Sequence, residues 1–338
     1  TPQGQLIVGD SKGGKLFALE LKDAKAEINK ELKLAGLEKQ LGSLLGVGES
    51  EIIIHDMAVS PISKSVYFSV SKGRSKWSSA WELPNDVADA NLLFRFSSKG
   101  ELEMVDLKGI AFTSVDIPNP VADKPHVWKE GVSQRADTIT DIACVDGKLW
   151  VSGLCNEEFA SSLWQFDFPF NQATKSGVTL EIFHGAHGAF ETHAPIRAML
   201  PVKLKGQTDL LAAYLCTPFV QFSEDQLKQG GHVKGRTLGE FGSGNYPLEM
   251  LQYTKKGESR VLLVNSNLPM MVFPISKLAD YKGSITEKPK TYVAGFPYEI
   301  RSGAGVLQAD NYSEDYLVIL QRNPNGSLDL GLMETRRL

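Results

Sequence analysis

The chain has 338 residues, a net charge of −4, and 42% apolar and 22% charged residues, ordinary values for a soluble globular protein. That balance gives no electrostatic reason to bind nucleic acid or an anionic membrane. No apolar run approaches the eighteen or so residues that cross a bilayer as a helix.

Residues 5–22 read as a hairpin, with the turn Asp10-Ser11-Lys12-Gly13-Gly14 between Gln5-Leu6-Ile7-Val8 and Lys15-Leu16-Phe17-Ala18-Leu19-Glu20-Leu21. Residues 24–45 predict a third strand over Glu27 to Leu32, then a short surface helix, because Leu37, Leu41, Leu44 and Leu45 recur at helical spacing. Strands follow at 52–59, 65–71, 91–97 and 101–107. Two long connections interrupt this region: 73–90, with Trp77, Trp81 and Pro84, and 109–135, with Pro118, Pro120 and Pro125. Long loops on a rigid scaffold are where function usually sits. The run Ile139-Thr140-Asp141-Ile142-Ala143-Cys144 then turns at Val145-Asp146-Gly147-Lys148 and returns as Leu149-Trp150-Val151-Ser152-Gly153. Further strands are predicted near 162–166 and 178–183, then 196–202, 209–215, 218–222 and 233–240, then 260–265, 270–275 and 291–294. The last pair, Tyr316 to Leu320 and Leu328 to Leu332, is split by Asn323-Pro324-Asn325-Gly326.

These strands repeat. Aligned copies begin at Gln5, Asp56, Asp141, Arg197, Glu249 and Gly305; four of the five intervals fall between 51 and 56 residues, and one of 85 holds the two long loops. A multi-strand repeat of about 40–50 residues is the signature of a propeller blade. The expectation is therefore an all-β, six-bladed β-propeller over residues 1–338, with insertions near 73–90 and 109–135 and a terminal strand closing the ring.

In such a ring the first strand of each blade lines a central channel. Alignment puts Asp56, Asp141, Arg197 and Glu249 around one opening, a polar-ligand or cation site in which buried carboxylates need neutralising by protons, the arginine or a metal. A second cluster runs from Phe183 to Arg197 and holds His184, His187, Glu191 and His193, residue types that bind zinc, copper or iron. A third, Gly153 to Phe159, brings Asn156 and Glu157 on a connection expected to approach the histidine loop. Cys144, Cys155 and Cys216 fit neither a disulfide framework nor a zinc motif. They read as small buried hydrophobes, with one disulfide plus a free thiol as the alternative. No phosphate loop, nucleophile elbow or paired-cysteine motif is present.

By this repeat pattern the chain resembles the six-bladed propellers, a group that includes calcium-dependent lactonases and exported sugar- or quinone-handling proteins. The runs Gly153-Leu154-Cys155-Asn156-Glu157-Glu158-Phe159-Ala160-Ser161 and Phe183-His184-Gly185-Ala186-His187-Gly188 look like those of uncharacterised bacterial exported propellers. That resemblance implies a periplasmic or secreted protein. The start at Thr1 fits a cleaved signal peptide and a shortened chain equally well. In the lactonase type a central calcium takes carboxylate and amide ligands from several inner strands, to which Asp56, Asp141 and Glu249 would correspond here.

Three functional readings follow. The first is a monomeric binding module for a small polar ligand or another protein, with Asp56, Asp141, Arg197, Glu249, Asn156 and Glu157 at the channel mouth. The second is a metal-dependent lactonase- or esterase-like hydrolase. There Asp56, Asp141, Glu249 and His193 hold a divalent calcium, zinc or copper, and His184, His187 or His193 is the base. The third is a redox accessory with copper or iron on the histidine loop.

Overall fold

Asp146 and Gly147 take φ of 51° and 75°, the left-handed pair that a two-residue reversal between Asp141–Val145 and Lys148–Leu154 demands. The returning strand buries Leu149, Trp150 and Val151 in succession, so both its faces are covered by neighbouring sheets. This hairpin opens one of six small sheets in the computed structural model, which describes residues 1–72, 91–126, 133–170 and 177–338. Together they form a six-bladed β-propeller. The six inner strands are Gln5–Asp10, Ile53–Val59, Asp141–Val145, Ala198–Leu204, Pro247–Lys255 and Val306–Asn311. Their blades are numbered I to VI in that order.

The order around the ring differs from the order along the chain. Blade I is the N-terminal hairpin, Gln5–Asp10 and Lys15–Glu20, completed by Phe112–Asp116. Strand Phe112–Asp116 lies within the stretch 109–135 that the sequence reads as loop, and pairs Leu19 with Phe112 and Lys15 with Asp116. Blade I packs on blade III: Leu16 and Ile117 share a core with Leu149, Val151 and Trp164, and Ser11 donates to the Ile139 carbonyl at 3.0 Å. Blade II packs instead on blade VI, where inner strands Ile53–Val59 and Val306–Asn311 meet. The ring therefore runs I, III, IV, V, VI, II. The hairpin fills a gap that chain order alone would close between blades II and III.

Other strands also change blade. His232–Lys234 adds to blade III, running parallel to Val178–His184, and Ala294–Gly295 adds to blade IV beside Arg236–Glu240. The fourth strand of blade V is Glu299–Arg301, not 291–294. The third strand expected over Glu27 to Leu32 is not formed; just after it Leu34 bridges Leu330 of blade VI. The helix predicted after it is Leu37–Leu45, at the surface with Lys39, Gln40, Ser43 and Leu44 exposed and its other face buried. Leu37 and Leu41 are fully buried among Phe68, Phe94, Val318 and Leu330, so the helix wedges blades II and VI together. All three cysteines are free, Cys155 buried and the others partly so. No helix among the described residues is long and apolar enough to cross a membrane. The loop 73–90, with Trp77, Trp81 and Pro84, lies outside the described residues.

Candidate functional site: channel carboxylates and a rim histidine cluster

Four inner strands each place one carboxylate toward the axis: Asp56, Asp141, Glu249 and Asp310. A bulge precedes three of them, at Ile54/Asp56, Pro247/Glu249 and Val306/Gln308, and re-aims the strand so that an acid faces its neighbours across the ring. Each acid folds back onto the amide of the next residue: Asp56 accepts from Met57 at 2.8 Å, Asp141 from Ile142 at 2.7 Å, Glu249 from Met250 at 3.0 Å and Asp310 from Asn311 at 2.7 Å. Asp141 and Asp310 do more. Their second oxygens accept from Met199 and Val59, each on the adjoining blade's inner strand and each at 2.7 Å. These two acids staple blade III to IV and blade VI to II by satisfying inner-edge amides that the sheets leave unpaired.

Protein surrounds these groups, while Asp56 is exposed and the other three are partly exposed, as befits a water-reached channel. Burial raises all four. Asp56 and Asp310 rise to about 6, each also held down by backbone amides. Asp141 rises to about 7 through burial, with the Asp56 charge adding to it against the Met199 amide. Glu249 rises well above the usual carboxylate range by burial, then by repulsion from Asp141, Asp56 and Asp310. Among the described residues, the Thr1 amino group lowers Asp310.

Arg197, expected within this ring, is engaged by an acid other than the four. It precedes strand Ala198–Leu204, donates to Asp137 Oδ1 at 2.9 Å and lies 5.4 Å from the Tyr246 ring centre. His126 contacts the other Asp137 oxygen at 3.1 Å. Blade IV gives Asp141 the amide of Met199, and Asp310 of blade VI is a fourth acid beside the three expected. The alignment missed Asp310 because its last copy starts at Gly305, whereas Asp310 stands near the far end of strand Val306–Asn311.

The sign of the pH effect follows. Groups with folded pKa values above their unfolded ones contribute stability that is full below about pH 4 and is lost as pH rises to about 7. Asp56→Asn keeps an acceptor for the Met57 amide and deletes one charge. It is expected to stabilise the protein at pH 8 by about 1 kcal/mol, after allowance for screening by channel water, and to have no such effect at pH 4. Thermal melts at the two pH values check this; a gain equal at both would count against channel repulsion.

The histidine cluster is at the outer rim. Strand Val178–His184 is fourth from the axis in blade III and turns at Gly185 to Gly188 into Ala189–Glu191. Gly188 takes φ of 67°, and its amide donates to the His184 carbonyl at 2.9 Å. Within this turn the Nδ1 atoms of His184 and His187 lie 2.9 and 2.5 Å from one oxygen, Oε1 of Glu191, and the two rings lie 3.8 Å apart, tilted by 35°. Buried Glu240, at the end of blade IV strand Arg236–Glu240, faces His184 Nε2 at 3.6 Å. Burial raises Glu240. On Glu191 burial is the largest influence and acts upward, but bonds from both histidines outweigh it and leave the group below its usual value.

Among the described residues, His184, His187 and Glu191 are the three-residue group whose ligand atoms fall within 4.8 Å of one another. Asp56, Asp141 and Glu249 do not form such a group, and His193 does not join them; it is exposed, with Nδ1 3.0 Å from Thr192 Oγ1. Asn156 and Glu157 turn toward blade I rather than the histidines. Asn119 contacts both, at 3.4 Å to the Asn156 carbonyl and 3.0 Å to Glu157 Oε1. Glu240 carried no signal in the sequence, since its place depends on blade IV packing against blade III.

No protein-family model and no curated protein matches the chain. Among solved structures it is similar to a bifunctional GH43-CE protein of Bacteroides eggerthii, at 11% identity and a TM-score of 0.38, over 84% of this chain and 33% of that one. It is also similar to a hypothetical protein from Leishmania major, at 9% identity and a TM-score of 0.37, over 85% and 86%. Drosophila Plexin A in complex with Semaphorin 1b gives 8% identity and a TM-score of 0.39, over 98% and 84%. The six-bladed layout rests on the strand pairings themselves.

Proposed function

We propose that this chain is an exported binding propeller, periplasmic or secreted, whose channel takes up the cationic group of a small organic ligand. The carrying observation is the ring of Asp56, Asp141, Glu249 and Asp310, which repel one another while Arg197 pairs with Asp137. A bare metal ion is the poorer fit, because no three of these acids bring oxygens within 4.8 Å. Ammonium groups on a flexible chain can reach separated carboxylates, each through a charge-assisted hydrogen bond. The hydrolase reading finds less support: the histidines ride the outer strands of blade III, whereas the acids ride inner strands.

Calorimetric titration with spermidine as the probe tests this. Binding is expected at pH 8 and should weaken about tenfold or more at pH 5.5, where protons compete for the acids. Glu249→Gln should weaken it further. Calcium taken up in preference to spermidine would favour the metal reading, and no uptake of spermidine at pH 8 would reject the channel as a cation site.

A further inference from the structure

We infer that the rim cluster of His184, His187 and Glu191 is a binding site for one divalent transition-metal ion of the zinc class, separate from the channel. Two imidazoles and one carboxylate are a zinc donor set that leaves a fourth position open to water or a ligand. With bonds of about 2.0–2.1 Å, neighbouring donors in a tetrahedral site stand about 3.3 Å apart. The two Nδ1 atoms at 2.9 and 2.5 Å from Glu191 Oε1 need only a small outward movement to accept an ion between them. Paired strand positions hold the donors in place, with Ile182 opposite Glu191 and His184 opposite Ala189.

A second, independent observation points to a ligand. His184 is 3% exposed and Glu240 2% exposed, yet His184 Nε2 lacks a hydrogen-bond partner, while the Glu240 carboxylate has the Gly185 and Ala186 amides beside it. His184 Nε2 and Glu240 Oε1 face each other at 3.6 Å. Buried polar atoms are normally satisfied, so His184 Nε2 calls for an explanation. Metal-bound histidines commonly give their other ring N–H to a carboxylate, which fixes the tautomer and orients the ring. A proton on His184 Nε2, held toward Glu240, leaves the Nδ1 lone pair facing Glu191 and His187, where the ion would sit. Glu240 is thus the positioning residue. Its approach depends on Gly185, where an added Cβ would stand 2.9 Å from Glu240 Oε2. The charges also balance, since one divalent cation offsets Glu191 and Glu240.

The test uses the full chain, stripped with a chelator and titrated with zinc against a metallochromic dye, and in parallel with cobalt(II). One zinc per chain with a micromolar or tighter Kd is expected, together with the visible bands of tetrahedral cobalt(II). His187→Ala, at an exposed position, should weaken zinc at least 100-fold without lowering the melting temperature. Glu240→Gln should weaken it about 10- to 100-fold while keeping the cobalt spectrum. Asp56→Asn should leave zinc binding unchanged, which separates this site from the channel. Failure of the folded chain to bind stoichiometric zinc, or unchanged binding by His187→Ala, would overturn the assignment and leave a histidine–glutamate ion-pair cluster.

Discussion

Gly153→Ala is expected to destabilise the protein by about 4 kcal/mol or more, the upper range for single substitutions. This glycine does not need a left-handed backbone; it needs room. A Cβ there would stand 1.8 Å from the carbonyl oxygen and 2.5 Å from the carbonyl carbon of Thr138, an overlap with main chain that no rotamer can relieve. The close crossing has a purpose. It lays residues 137–140 over strand Lys148–Leu154, fixed by the Thr140 amide on the Ser152 carbonyl at 2.8 Å. That placement brings Asp137 to Arg197 and sets Asp141 into the channel. Unfolding entropy of about 2.1 cal/mol/K per residue translates 4 kcal/mol into a fall of roughly 6 °C in a thermal melt. Gly331→Ala is the control, because nothing lies within 4 Å of its added Cβ. An equal fall in both variants would remove the steric explanation.

Leu16→Ala is expected to cost about 2–5 kcal/mol, the usual penalty for emptying a buried leucine position. Leu16 is fully buried and joins blade I to blade III through Ile117, Leu149, Val151 and Trp164. Blade I is assembled from two distant pieces of chain, so its packing closes the ring. A loosened hairpin leaves Phe112–Asp116 and the inner edge of blade III without partners. Leu44→Ala, on a residue 56% exposed, should change stability by no more than about 0.5 kcal/mol. Melts of the two variants decide the matter. A Leu16→Ala protein as stable as the parent would mean that ring closure does not depend on the hairpin.

Both expectations rest on features that differ in how far the sequence shows them. The six-fold repeat is legible because each blade needs an apolar inner strand, a turn and an apolar second strand; Asp146-Gly147 marks such a turn, and Asn325-Gly326 the next turn of its blade, in plain residues. Asp56, Asp141 and Glu249 are legible for the same reason, as acids at one repeat position. The histidine loop is legible as composition, with His184, His187 and Glu191 within eight residues of one another.

The sequence by itself determined the blade count, most strand positions and three of the four channel acids, because these follow from local periodicity and turn chemistry. Tertiary structure alone decided the rest. Pairing of Lys15–Glu20 with Phe112–Asp116 depends on which edges lie open once the other blades have formed. Arg197 pairs with Asp137, sixty positions earlier in the chain, because that residue offers it a buried carboxylate. Asp310 joins the other acids from near the far end of strand Val306–Asn311, and Glu240 reaches His184 only because blade IV stacks on blade III. Contacts between distant segments are set by packing and by the satisfaction of buried polar groups, and neither leaves a period in the chain.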